Sequence, residues 1–320
     1  MAKKSSQLSK ILPFFFSVGA VIVFAVYISH NFAHYRQLLH LSIGSTIFLA
    51  GLALGSLFCS GIINYSLYRN LGVSLPFSES FGLASVNTLA NQLPFAGGIV
   101  AKGVYLKRQY NLPYTRFLSA TVALYACFIA ANGVIGVAII TLLTVNGVSV
   151  PTLLKMGFAA MTASVLLFWL PVDIKSLSDK WRKRFKQLGE GWQVLSQNQA
   201  LLFELVGVQI ITTLVAAGRF WIAFHVLSQD VTYAQCLLFA AATVLTRLIN
   251  IAPGGLGVRE GIVAAVASLL GFEAGISAVA VSIDRLVATS VIVVLGTIYT
   301  YVLSKKVADT DQVDSTISEE

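Results

Sequence analysis

Charge is what this sequence has least of: 11% of its 320 residues are Asp, Glu, Lys or Arg, against about 25% in a soluble globular chain. With 56% hydrophobic residues and a mean hydropathy of +0.79, that shortage excludes a water-soluble domain and describes a polytopic membrane protein. Histidine is scarce as well, with four in the chain. His30 and His34 stand one helical turn apart in an interfacial loop, where a wet surface is the ordinary setting. The three cysteines, Cys59, Cys127 and Cys236, fall singly in apolar segments without C-x-x-C spacing. They read as small packing residues, so neither a disulfide framework nor a metal site is expected. No nucleotide-binding P-loop is visible, and no nucleophile with its base can be assembled. The chain is therefore expected to be no enzyme and to need no cofactor.

What is present is a series of apolar runs. The net charge of +8 does not point to nucleic acid, because the basic residues lie in short loops between those runs. Such a distribution orients a membrane protein and touches anionic lipid. A spanning helix needs ~20 mostly apolar residues, and the candidates are 11–29, 41–67, 117–144, 152–171, 201–227 and 275–303. Lys3, Lys4 and Lys10 precede the first run without a small-residue cleavage pattern, which predicts a retained helix. Two further regions, 79–112 and 234–271, are cut near their middles by Pro-Gly breaks and read as pairs of half-helices. The fold class is thus all-α, with about six spanning helices plus two broken re-entrant hairpins; eight or nine full crossings are the alternative.

Basic loops assign the sides. The N-terminus, Arg69, the loop with Lys107, Arg108 and Arg116, the stretch 172–200 and Lys305-Lys306 all fall in the cytoplasm. The hairpin 79–112 then enters from the cytoplasm and 234–271 from outside, in a multi-pass inner-membrane protein with both termini inside. Within 176–195, Trp181, Phe185, Leu188 and Trp192 follow helical spacing against Lys and Arg, as in a helix lying on anionic lipid; a plain basic connector is the simpler alternative. Residues 1–308 form one transmembrane domain, and 309–320 reads as a disordered acidic tail.

The two breaks are related. A shift of 159 positions pairs Asn91 with Asn250, Pro94 with Pro253 and Gly98 with Gly257. Upstream, Leu71–Phe77 parallels Leu227–Tyr233 at a shift of 156. Residues 41–144 and 200–303 are accordingly two halves, each a helix, a broken hairpin and a long helix, and the loop charges give them opposite orientation. Inverted repeats with discontinuous helices are a transporter architecture.

The candidate site gathers at the breaks. Proline ends a helix and glycine frees the backbone, so Pro253, Gly254, Gly255 and Gly257 open the second hairpin, as Pro94, Gly97 and Gly98 open the first. Arg247, Arg259, Glu260, Asp284 and Arg285, with Lys102 in the first half, place charge at membrane depth, where it is costly and faces a cavity or a partner. Arg219 joins them unless it snorkels to the outer face. The positive excess points to an anionic ligand such as a lipid phosphate, which the arginine fork binds in two places at once. Ion pairs that only lock the hairpin are the competing account of Asp284 and Arg285. Asn91 and Asn250 either bind ligand or cap broken helix ends.

Pro253-Gly-Gly-Leu-Gly-Val-Arg-Glu260, followed by an apolar helix, resembles the motif of the membrane domain of lysylphosphatidylglycerol synthases and their stand-alone relatives. Leu93-Pro-Phe-Ala-Gly-Gly-Ile-Val-Ala-Lys102, with Tyr105-Leu106 and then Leu112-Pro-Tyr, is similar to the family's first half-motif. The resemblance covers residues 10–305 and implies a flippase-like protein that binds and translocates an anionic amphiphilic lipid or lipid-linked intermediate, passively or with an ion gradient. A membrane partner of a lipid- or glycan-modifying enzyme is the alternative, and a membrane-embedded lipid transferase a weaker one. Two departures matter. Where the family often has an acidic-arginine pair in the long helix after the first hairpin, this chain has Tyr125-Ala126, while Asp284-Arg285 stands at the corresponding shift in the second half. Only Lys305–Glu320 follows the membrane part, too short for the soluble domain that transfers lysine from tRNA.

Overall fold

A computed structural model describes residues 42–92, 97–164, 193, 195–247 and 257–317 of the chain. The expected first span, 11–29, and nearly all of the amphipathic stretch lie outside these residues. So do Pro94, Asn250, Pro253, Gly254 and Gly255.

The described chain is helical. Helix α1 runs Ile43–Asn70, α2 Phe77–Ala90, α3 Gly97–Tyr110, α4 Tyr114–Val145 and α5 Thr152–Ala163. Then come α6 at Gln199–Val226 and α7 at Tyr233–Ala242, which tightens into a 3-10 turn over Thr243–Arg247. Helices α8, Val258–Leu269, and α9, Ala274–Ile317, complete the order. Local chemistry sets the starts. The Ser42 hydroxyl accepts from Ser45 N, the Asn198 carboxamide from Leu201 N, and Thr232 and Gln235 cap α7 reciprocally. Pro76, Pro113 and Pro151 each stand just before a first turn, where their fixed φ suits the entry.

Among the described residues four helices are long and apolar enough to cross a bilayer: Ile43–Asn70, Tyr114–Val145, Gln199–Val226 and Ala274–Ala308. They match four of the six expected spans. The expected span 152–171 is described only over α5, as far as Ala163. Exposed apolar side chains such as Ile47, Phe48, Phe203 and Tyr301 line their outer faces, the pattern of helices that meet lipid rather than water. Helix α9 continues through 309–317. No Pro or Gly interrupts that stretch, and extending an existing helix avoids the cost of nucleation.

Helices α1 and α6 are antiparallel. The Ser66 hydroxyl donates to Glu204, Asn198 Nδ2 donates to Asn70 Oδ1 at 2.8 Å, and Leu52 packs on Gly218 at the other end. These helices occupy matching places in the two halves. Each has 28 residues, and each ends in the same turn. Gly72 (φ +85°) and Ser228 (φ +55°) both take the left-handed conformation. Val73 N donates to Tyr68 O, as Gln229 N does to Phe224 O, at 3.0 Å in both. Because matching helices run in opposite directions, the axis relating the halves lies across them, in the membrane plane. Packing follows the same exchange: α2 lies on α9, and α7 on α4.

The hairpins enter from opposite ends. Tyr105 and Tyr110, at the close of α3, donate to Glu79 at the start of α2 at 2.8 and 2.6 Å. The Lys306 ammonium joins the same carboxylate. That hairpin therefore opens at the end shared by Asn70 and Asn198. Helix α7 begins beyond the far end of α6, with Tyr233 Oη donating to Leu214 O at 2.8 Å.

Close packing of α4 on α5 depends on glycine. A Cβ at Gly133 would fall on the Thr162 backbone nitrogen, whereas Gly157 has nothing within 4 Å. Gly133→Ala should lower stability by about 1–3 kcal/mol, the usual cost of overpacking, while Gly157→Ala should leave it unchanged or slightly raised. Thermal melting of the two variants in detergent checks the contrast.

Candidate functional site

Between the two halves lies a cavity of about 320 Å³. Helix α1 supplies Ala53, Ser56 and Ser60, and the close of α2 supplies Thr88, Asn91 and Gln92. Helix α6 brings Gln209, Thr213 and Arg219, the 3-10 turn Thr246 and Arg247, α8 Arg259, and α9 Arg285 and Thr289. Four arginines thus surround one space inside a membrane protein.

Two carboxylates stand behind them. Asp284, 1% exposed, takes Arg219 Nε on Oδ1 at 2.6 Å and Arg259 Nη2 beside Oδ2 at 3.2 Å. Arg285 Nη1 donates to Glu260 Oε1 at 2.8 Å. Glu260 Oε2 accepts the backbone N–H of Gly257 at 3.0 Å, closing the free end of α8 with a negative charge. Gly257 itself needs its left-handed φ of +77° there.

Arg247 is held differently. Its guanidinium stacks 4.8 Å from the Phe128 ring centroid and 5.6 Å from that of Tyr125, and Nη2 donates to Gln209 Oε1 at 3.2 Å. Among the described residues no carboxylate lies within ion-pair distance of it. Tyr125 stands where the second half carries Asp284, so an aromatic face in the first half receives an arginine of the second. Behind Gln209 a neutral chain continues, its Nε2 donating to Thr213 Oγ1 at 3.3 Å and Thr213 Oγ1 to Asn132 Oδ1 at 2.8 Å.

The expected site residues divide accordingly. Asn91, Arg247, Arg259 and Arg285 reach the cavity, with Asp284 and Glu260 as the anions behind it. Lys102 stands apart from the wall, its Nζ donating to Asn64 Oδ1 at 3.1 Å while Asn64 Nδ2 donates to Ser80 O. Gly97 and Gly98 serve the backbone. A Cβ at Gly97 would sit 2.8 Å from Ala90 O and one at Gly98 on Asn87 O, and Gly98 N donates to Asn91 Oδ1 at 3.1 Å. Pro94, Asn250, Pro253, Gly254 and Gly255 lie outside the described residues. Arg219 does not snorkel: it is 7% exposed and bound to Asp284. Gln209, Thr213 and Asn132 went unnoticed in the sequence. Their one signal is that a polar side chain within a spanning run needs a partner.

Fold and cavity together define the class, an all-helical polytopic membrane protein with a guanidinium-lined chamber between two antiparallel halves. The chain belongs to the family described as the lysylphosphatidylglycerol synthase TM region, whose model matches residues 11–296. No curated protein and no solved structure matches it. Membership makes this a membrane protein related to lipid modification or transport.

Removing the shared anion should be severe. Asp284→Asn leaves Arg219 and Arg259 facing each other without neutralisation, and breaking a buried pair typically costs about 3–5 kcal/mol. Asp284→Leu combined with Arg219→Met should recover only the part owed to Arg219, because Arg259 still lacks its anion. Detergent melting of the single and double variants measures the coupling.

Proposed function

We propose that this protein binds an anionic amphiphilic lipid, or a lipid-linked intermediate, by its headgroup and carries it between the leaflets. The observation behind this reading is the cavity itself, lined by four arginines at the junction of the halves, three of them paired with two carboxylates behind the wall. Each arginine at membrane depth costs about 2.5–3.5 kcal/mol on insertion scales, and ion pairing alone would need no more arginines than carboxylates. An anionic oxygen in the cavity balances the remainder. The opposed hairpins support transport over simple binding, since each breaks the membrane from its own side.

The described basic residues support one orientation. Arg69, Arg116 and Lys306 gather at the end where the first hairpin opens, and the positive-inside rule makes that end cytoplasmic. The inner membrane of a cell is the corresponding setting, and no catalytic role is assigned to the chain.

Reconstitution in vesicles with a headgroup-labelled anionic lipid tests the proposal. The intact chain should expose inner-leaflet label to an outside quencher much faster than protein-free vesicles do. Arg247→Lys keeps charge but loses the flat fork and the stack on Phe128. Loss of one charge-assisted contact of about 1.5–3 kcal/mol should slow transfer and weaken binding by roughly ten- to a hundredfold at unchanged melting temperature. A protein that serves only as partner to a lipid- or glycan-modifying enzyme would bind without transferring, and that result would end the transport reading.

A further inference from the structure

The cavity is chemically lopsided. Its cations, Arg219, Arg247, Arg259 and Arg285, all come from the second half, while the wall built by α1 and the close of α2 is uncharged. On that wall Ser56, Ser60 and Thr88 donate their hydroxyl protons to the carbonyls of Leu52, Ser56 and Ala84 at 3.1, 3.0 and 2.7 Å. A hydroxyl committed to its own helix turns lone pairs toward the cavity. One side therefore offers charged donors and the other neutral acceptors.

Neither carboxylate lines the cavity; Asp284 Oδ2 makes no hydrogen bond, but it is buried 3.2 Å from Arg259 Nη2, behind the arginines. Asp284 is held by Arg219 and Arg259, and Glu260 by Arg285 and Gly257 N. Arg219 adds a separate pointer. Its Nη2 is buried without a hydrogen-bond partner among the described residues, on a side chain that lines the cavity and is 8% exposed. A buried charged donor left unmet is costly, and a ligand oxygen would meet it.

Building on the anionic-lipid reading of this cavity, we propose that it selects headgroups joining a phosphodiester to a neutral, hydroxyl-rich group, and rejects headgroups that carry an amine. The phosphate oxygens meet the arginine side, and the hydroxyls donate to the Ser60, Thr88 and Gln92 wall. Among the described residues a headgroup ammonium finds no carboxylate on the cavity wall and faces surplus guanidinium charge where little water screens it. The volume of about 320 Å³ is small for a ligand site, so the headgroup enters while the acyl chains stay in the bilayer. Phosphatidylglycerol and a polyprenyl-phosphate hexose both present this chemistry.

Competition against a fluorescent phosphatidic acid, with the intact chain in micelles, tests the selectivity. Phosphatidylglycerol or the polyprenyl-phosphate hexose should displace the probe at a concentration at least tenfold below that of phosphatidylethanolamine or lysylphosphatidylglycerol. Whichever of the first two is tighter identifies the lipid source. Equal or tighter binding of either amine lipid overturns the proposal. Gln92→Glu should shift the preference toward the amine lipids by about tenfold at unchanged melting temperature, and no shift would remove the headgroup from that wall. Ser60→Ala with Thr88→Val should weaken phosphatidylglycerol by roughly three- to tenfold, about one or two neutral hydrogen bonds, and spare phosphatidic acid. Equal loss for both lipids contradicts the acceptor role. If Arg247→Gln holds the probe as well as the parent does, the anionic-lipid site itself fails, an outcome distinct from binding without selectivity.

Discussion

A guanidinium taken out of water loses several kcal/mol of solvation unless an anion meets it, and Asp284 meets two. Its carboxylate draws Arg219 of α6 and Arg259 of α8 onto α9, so three elements converge on one buried charge. Helix α8 has a fixed position because it is tied at its first turn, by Arg259 and Glu260, to two successive residues of α9. Without that tie, α8 would be held mainly by apolar packing, which discriminates poorly between one depth and another in a lipid environment. The cavity is the space these charges keep open.

The first hairpin is held by different means. It has no counterpart of the Asp284-Arg285 pair, and Tyr125 stands where that charge would be expected. Its anchor is at its entrance, where Glu79 gathers Tyr105, Tyr110 and Lys306. Its apex is fixed by glycines close-packed on the Ala90 and Asn87 carbonyls. Two halves of shared topology thus differ in what they show the cavity.

The spans were legible because apolar length is a one-dimensional property. The runs 41–67, 117–144, 201–227 and 275–303 return as helices within a few residues at most of their ends, apart from the close of α9. The convergence of Arg247, Arg259, Glu260, Asp284 and Arg285 was legible for a related reason, since charge in an apolar run has few places to go. Gln209, Asn132 and Asn64 were not, because a neutral amide leaves no periodic trace and its partner is set by three-dimensional packing. Arg219 was ambiguous by sequence, as its distance from a helix end permits either snorkelling or burial; Asp284 decides it.

Helix α9 touches both hairpins with one uninterrupted rod. Arg285 holds Glu260 near one end, and Lys306 holds Glu79 near the other, about 30 Å apart at 1.5 Å per residue. No proline or glycine lies between these two points except Gly296, and that glycine is pressed against Leu89 of the first hairpin. The rod lies along α2 from Leu89 to Glu79 and is tied to α8 through Glu260. One rigid element is thus shared by both hairpins, and a displacement of it reaches both at once.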